Sequence, residues 1–167
     1  ISLGTVNNRS RSFYRACLEA LRSWEGVRAV LSLGGGCGPE ELGDVPPNVQ
    51  VLPQVDQLAV LSQSDAFLSH CGMNSVSESL YLGVPLVLFP QQEEQGMVAR
   101  RVQELGAGVP LPAPTPAAIH QALSLVLADP AFQHSAQHIS EGFRAVGGYR
   151  RGADKILEAA MGSAPLP

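Results

Sequence analysis

The chain has 167 residues, enough for one domain, and its hydrophobic content of 45% is ordinary for a globular core. Charged residues make up only 16% and the net charge is −4, which argues against a nucleic-acid-binding protein because such proteins usually carry a basic stripe. Three cysteines without a Cys-x-x-Cys pair indicate a reduced, cytoplasmic compartment, and no apolar run reaches the roughly eighteen residues of a membrane span.

Strands and helices are predicted to alternate along most of the chain. The predicted strands are residues 1–4, 27–33, 49–52, 65–69, 85–89 and 108–111. The predicted helices run from a cap at Ser10 or Ser12 through Trp24, and then over residues 56–61, 73–82, 93–105, 115–127, 130–145 and 149–161. Short apolar strands between helices are typical of a parallel sheet covered on both faces. We therefore expect a Rossmann-like α/β domain of about six strands over residues 1–162, and a disordered tail at residues 163–167.

Polar residues follow several of these strands, and ligands of open parallel sheets bind at the carboxyl ends of strands. The candidates from this argument are Thr5, Gly34-Gly35, Gln54, His70 and the polar run at residues 91–95. The glycine run at residues 34–38 is not a dinucleotide fingerprint, because Pro39 stands where G-x-G-x-x-G needs its third glycine. It is interpreted as a flexible loop, which disfavours a nicotinamide dehydrogenase.

The most informative segment is HCGMNSVSE at residues 70–78, which joins a predicted strand to a helix that begins near Met73. Free N–H groups and the positive end of the helix dipole favour an anion there, above all phosphate. Gly72 lets the backbone approach a ligand closely. Three side chains add hydrogen-bond donors: His70, Asn74 and Ser75. Glu78 lies on the same helix face as the last two and suits a diol, so the segment predicts a site for pyrophosphate and sugar hydroxyls.

This motif, followed by GVP, FP and Glu94-Gln95, resembles the donor-binding signature of nucleotide-sugar glycosyltransferases with the GT-B fold. The resemblance is closest to bacterial macrolide-type and plant secondary-metabolite enzymes. It extends upstream to residues 2–5 and 52–55 and downstream through residues 100–108, and so covers nearly all of the chain. It implies the C-terminal, donor-binding half of a larger enzyme, whose N-terminal acceptor domain is not in this chain.

The resemblance also implies a role for each matching position. The diphosphate would lie against Gly4, Thr5, His70, Gly72, Asn74 and Ser75, the ribose against Glu78, the base against Val51, Leu52 and Gln54, and the hexose against Glu94 and Gln95. The main departure is Val51, because family members often carry a tryptophan here that stacks on the base. Its absence leaves both uracil and thymine open, while Gln95 favours glucose over galactose.

Two further features have simpler interpretations than a reactive site. Cys71 is interpreted as a small residue at a tight turn rather than as a nucleophile. His134 and His138 are four residues apart on a predicted helix, but no third ligand is near them in sequence, so a solvated face is favoured over a metal site.

We therefore expect the donor-binding half of an inverting glycosyltransferase that moves a hexose from a UDP- or dTDP-sugar to a hydroxyl of a small lipophilic acceptor, with no metal or other cofactor. By the resemblance, the catalytic base lies in the missing domain, so this chain alone would bind the donor without transferring it. His70 would stabilise the departing diphosphate. Two alternatives stay open: a GT-B sugar-nucleotide epimerase, marked by release of free sugar, and a non-catalytic nucleotide-binding regulatory module.

Overall fold

The computed structural model of the chain describes residues 1–5 and 8–160. The strands are β1 (Ala29–Ser32), β2 (Val49–Leu52), β3 (Phe67–Ser69), β4 (Leu86–Leu88) and β5 (Gly108–Pro110). The helices are α1 (Arg11–Leu21), α2 (Gln57–Leu61), α3 (Met73–Tyr81), α4 (Glu93–Glu104), α5 (Pro116–Ala128), α6 (Pro130–Ala145) and α7 (Gly148–Ala160). A 3-10 turn at Pro39–Glu41 follows β1 and was not predicted.

All strand pairs are parallel: β1 with β2, β3 with β4, and β4 with β5. Residues 1–3, called here the N-terminal segment, join the two groups, because Ser2 forms parallel bridges to Ser32 and to Ser69. The order across the sheet is therefore β2, β1, the N-terminal segment, β3, β4 and β5. Counted along the chain this is 3-2-1-4-5-6, the order of the doubly wound nucleotide-binding fold.

Helices cover both faces of the sheet, as the alternation of side chains along each strand requires. On one face, Leu68 and Val87 pack into a core with residues of α1 and α5. On the other face, Phe67, Leu86 and Leu88 pack with residues of α2, α3, α4 and α6. Neighbouring residues of β3 and β4 thus enter different cores, which confirms the predicted parallel α/β domain.

The sequence predicted the order and type of the elements and several of their ends. Ser10 and Thr115 cap α1 and α5 through their side chains, as expected, and β2 and α6 have the predicted bounds. Helix α1 ends at Leu21 rather than at Trp24, because Ser23 has a φ of 61° that a helix cannot continue. Among the described residues there are five strands rather than about six, because the first predicted strand is an extended segment. It pairs through the bridges of Ser2, and the amino group of Ile1 donates to the carbonyl of Val30.

The two C-terminal helices differ in how they are held. Helix α6 is tied to the end of α3, where Ser140 Oγ donates to the carbonyl of Tyr81 and Gln133 Nε2 donates to the carbonyl of Gly83. Helix α7 has no buried residue. Met161 and the predicted disordered tail lie outside the described residues. Among the residues that the structure describes, no helix combines the length and apolar character needed to cross a membrane.

Candidate functional site

The strand order places a crevice between the N-terminal segment and β3. Successive strands are added on one side of the sheet after the N-terminal segment and on the other side from β3 onward, and ligands bind where this direction reverses. The loops that leave these two strands begin at Gly4 and His70. Sequence analysis had selected both residues, and the topology brings them together.

His70 lies wedged between two glycines. A β-carbon built on Gly4 would stand 2.6 Å from Cε1 and 2.7 Å from Nε2 of the imidazole, and one built on Gly72 would stand 2.5 Å from Nε2. No real side chain tolerates such distances, so the ring occupies the space that both glycines leave empty. Gly4 also has a φ of 75°, a conformation that favours glycine. At both positions the missing β-carbon makes room for the imidazole, a role that the sequence did not predict.

Burial governs the charge of His70. It lowers the pKa of the imidazole, and the backbone of Ser2 opposes this shift more weakly. Nδ1 is buried and has no hydrogen-bond partner among the described residues. A lowered pKa leaves the ring neutral at pH 7, so His70 offers a hydrogen-bond donor to a ligand rather than a full positive charge.

Helix α3 begins directly beside this ring. Its N-cap is Gly72, which has no side chain to satisfy the amides of the first turn. Those N–H groups have no partner within the helix, and together with the helix dipole they favour an anion. Asn74 is exposed and Ser75 is half-buried in the same turn. The structure thus places His70, Gly72, Asn74 and Ser75 at one helix N-terminus, with Gly4 against the ring of His70.

The turn that feeds α3 depends on Cys71. This residue has a φ of 65°, is fully buried, and its amide donates to Ser69 Oγ at 3.1 Å. Burial raises the pKa of the Cys71 thiol to about 12, and a hydrogen bond with the backbone of Phe89 opposes this shift more weakly. The geometry supports the interpretation of Cys71 as a small turn residue, because a protonated, buried thiol is a poor nucleophile.

We therefore expect Cys71 to resist iodoacetamide in the native protein at pH 8. The other two thiols, Cys17 and Cys37, are also buried, and burial raises both of their pKa values. Mass spectrometry before and after unfolding in urea measures the labelling, and the unfolded chain is the control in which all three cysteines should react. Fast labelling of Cys71 alone in the native state would contradict this account.

Gln57, which the sequence analysis did not select, contacts two of the predicted site residues on α3. Its Nε2 donates to Glu78 Oε2 at 2.6 Å and to Ser75 Oγ at 3.2 Å. Gln57 is the first residue of α2, which Asp56 caps. The amide fixes the predicted diol-binding carboxylate and leaves its other oxygen for a ligand. Nothing in the sequence near Gln57 signals this role, because its partners lie on another helix.

The residues predicted to bind the base lie at the end of β2. Val51 and Leu52 are half-buried and pair with Leu31 and Ser32 of β1. Val51 packs against the first core, so its side chain contributes to the fold whatever it does for a ligand. Gln54 is exposed two residues beyond the strand.

The two residues predicted to bind the hexose lie in different environments at the start of α4. Glu94 is exposed, whereas Gln95 is buried and its Oε1 accepts a hydrogen bond from the amide of Gln91 at 2.9 Å. Gln95 therefore also closes the loop between β4 and α4. This second role follows from the structure and was not predicted.

Asn8 is a second residue that the sequence analysis did not select. Its side chain is buried and bonds the loops after the N-terminal segment and after β1. Within residues 1–5 and 8–160, no three His, Cys, Asp or Glu side chains are grouped to hold a metal ion. His138 is exposed, with Nδ1 3.9 Å from Glu141.

The chain as a whole is similar in sequence to known proteins. Residues 29–146 match the family described as the C-terminal domain of erythromycin biosynthesis protein CIII-like proteins. The chain is 39% identical over 171 residues to the NDP-glycosyltransferase YjiC of Bacillus subtilis (strain 168), covering 100% of this chain and 43% of that protein. It is 33% identical over 163 residues to the oleandomycin glycosyltransferase of Streptomyces antibioticus, covering 96% of this chain and 38% of that protein. The chain thus spans less than half the length of these relatives.

Solved structures give the same grouping. The calicheamicin glycosyltransferase CalG4 superposes with a TM-score of 0.87 at 32% identity, over 98% of this chain and 42% of that chain. The glycosyltransferase VinC, solved in complex with dTDP, superposes with a TM-score of 0.68 at 25% identity, over 84% of this chain and 37% of that chain. The chain therefore has the fold of the C-terminal domains of GT-B glycosyltransferases.

Proposed function

This chain belongs to the family of erythromycin biosynthesis protein CIII-like C-terminal domains, and from that premise we propose that it is the donor-binding half of an inverting glycosyltransferase. The donor is a UDP- or dTDP-sugar, the transferred group is a hexose, and the acceptor is the hydroxyl of a small lipophilic molecule. The observation that carries the proposal is the wedging of His70 between Gly4 and Gly72 beside the free amides of α3.

These groups suit the departure of a diphosphate. When an acceptor oxygen attacks the anomeric carbon, the bond from that carbon to the diphosphate oxygen breaks and negative charge develops on the leaving group. The amides of α3 and the neutral His70 donor are already in place to stabilise that charge. We propose that they do so without a metal ion, and that the base which deprotonates the acceptor belongs to another domain.

Titration of the full 167-residue chain with UDP and with dTDP in a calorimeter tests this proposal. We expect saturable binding of at least one diphosphate, weaker binding of the matching nucleoside, and no sugar transfer by this chain alone. Absence of heat with both diphosphates at about 1 mM ligand would contradict the donor-site assignment. The dTDP complex of VinC supports including the thymidine nucleotide.

We further propose that Gln95 donates its amide hydrogens to the hexose while its Oε1 holds the amide of Gln91. Gln95→Glu keeps the acceptor oxygen but removes the donor. The difference in binding free energy between a nucleoside diphosphate glucose and the bare nucleoside diphosphate should therefore fall by about 0.5–1.5 kcal/mol, the value of one hydrogen bond. Competition titrations measure this difference directly.

Gln92→Glu is the matched control, because it adds the same charge to the same loop at an exposed position. If both substitutions weaken the two ligands alike, only the added charge matters, and the assignment of Gln95 to the sugar is wrong.

A further inference from the structure

Asn8 ties together two loops that border the crevice. The residue is 4% exposed, and its Nδ2 donates to the carbonyl of Gly34 at 2.7 Å and to the carbonyl of Gly4 at 3.1 Å. Gly4 follows the N-terminal segment and Gly34 follows β1, so one amide group bridges the ends of two neighbouring strands. The loops are thereby held together at the carboxyl edge of the sheet.

The packing around this amide leaves no free space. A β-carbon on Gly34 would stand 2.1 Å from the Gly4 carbonyl oxygen and 2.4 Å from Nδ2 of Asn8, and one on Gly36 would stand 2.2 Å from Oδ1 of Asn8. Gly34 and Gly36 therefore pack directly against the Asn8 amide that makes both hydrogen bonds. The position of Gly4 depends on this contact, and Gly4 in turn forms one wall of the space that His70 fills.

The two carbonyls that Asn8 holds determine the direction of two amides. In a trans peptide the N–H of one residue points opposite to the carbonyl of the residue before it. Because the carbonyls of Gly4 and Gly34 point at Asn8, the N–H groups of Thr5 and Gly35 point away from it. Thr5 and Gly35 are exposed, and neither amide donates a hydrogen bond among the described residues. The loops after the N-terminal segment and after β1 thus each carry a backbone donor that has no partner among the described residues.

We infer that Asn8 is a positioning residue for the diphosphate of the donor. It turns the amides of Thr5 and Gly35 outward toward the anion and fixes Gly4 against His70. The inference rests on the proposed function, since it needs a diphosphate in this crevice. It adds a group that acts through the backbone on the phosphate side and does not touch the base or the sugar.

The chain provides a matched control for the test. Asn48 also donates through Nδ2 to two backbone carbonyls, those of Leu21 at 3.0 Å and Val27 at 3.1 Å, but it precedes β2 at the opposite edge of the sheet. Asn8→Ala and Asn48→Ala therefore remove the same kind of hydrogen-bond pair. Only the first should disturb the diphosphate.

The experiment measures the affinities of the full chain for UDP, dTDP, uridine and thymidine by calorimetry, and follows stability by thermal unfolding. We expect Asn8→Ala to weaken diphosphate binding about tenfold, as loss of a hydrogen bond to a charged group implies, and to leave nucleoside binding unchanged. Asn48→Ala should lower stability comparably and change neither affinity. The Cε1–H resonance of His70 should also shift in Asn8→Ala and stay in place in Asn48→Ala.

Each outcome has one meaning. If the unsubstituted chain binds no diphosphate, the proposed function fails. If it binds diphosphate and Asn8→Ala binds equally well, or loses nucleoside and diphosphate affinity alike, the inference about Asn8 is wrong and the proposed function stands. Should Asn8→Ala not fold, Asn8→Ser decides the matter, because a single hydroxyl donor replaces the two bonds. Diphosphate affinity in Asn8→Ser equal to that of the unsubstituted chain would overturn the inference.

Discussion

Replacing His70 with alanine should weaken binding of a nucleoside diphosphate by about 1.5–3 kcal/mol, which is the value of one hydrogen bond to a charged group. Binding of the matching nucleoside should change little, because the imidazole lies beside the amides of α3 and not at the end of β2. Burial keeps the ring neutral at pH 7, so the expected loss is that of a donor rather than of an ion pair.

Calorimetric titrations of the diphosphate and the nucleoside measure this difference. His138→Ala is the control, because that histidine is exposed on α6 and carries no predicted site role. Equal losses for diphosphate and nucleoside in His70→Ala would mean that the imidazole supports the fold or the base site and is not a phosphate ligand.

Replacing Gly4 with alanine should lower both the stability of the chain and its affinity for the diphosphate. The new β-carbon would enter the imidazole of His70, and alanine would also adopt a φ of 75°. We expect about 1–2 kcal/mol of backbone strain, and a further 1–3 kcal/mol, roughly, from the steric conflict. Displacement of His70 should then remove most of the diphosphate affinity.

Gly26→Ala separates the two contributions. Gly26 has a φ of 76°, almost the same as Gly4, but a β-carbon there meets no atom within 4 Å. Urea unfolding measures the free energy of unfolding of both variants. We expect Gly26→Ala to lower it by the backbone strain alone, and Gly4→Ala to lower it by the strain and the steric conflict together. Equal destabilisation with intact diphosphate binding would mean that His70 moves aside without cost.

Local signals in the sequence were sufficient for much of the fold. The caps at Ser10 and Thr115, the proline at the first position of α5 and the apolar strand at residues 49–52 each act within a few residues of chain. The end of α1 was not predicted, because it depends on the left-handed conformation of Ser23. Serine rarely adopts this conformation, so nothing in the local sequence indicates it.

The site divides in the same way. The segment from His70 to Glu78 could be interpreted from the sequence because a strand, a turn and a helix N-terminus follow one another without a break. Asn8 and Gln57 could not be found, since their partners Gly34, Ser75 and Glu78 are distant along the chain and become neighbours only in the folded sheet. Their hydrogen bonds belong to tertiary structure, which residue patterns alone do not encode.

The bridges of the N-terminal segment have a consequence for the order of folding. Among the described residues, Ser2 provides the β-pairing between the β1–β2 pair and the β3–β4–β5 trio, with partners that are remote in the chain. Contacts of such long range close late, because loop-closure entropy must be overcome before they form. The crevice, which lies on this junction, should therefore be completed last during folding and open first under native conditions. A nucleotide that touches both halves would slow hydrogen exchange at the amides of Ser2 and Ser32, which bond to the carbonyls of Leu68 and Ile1.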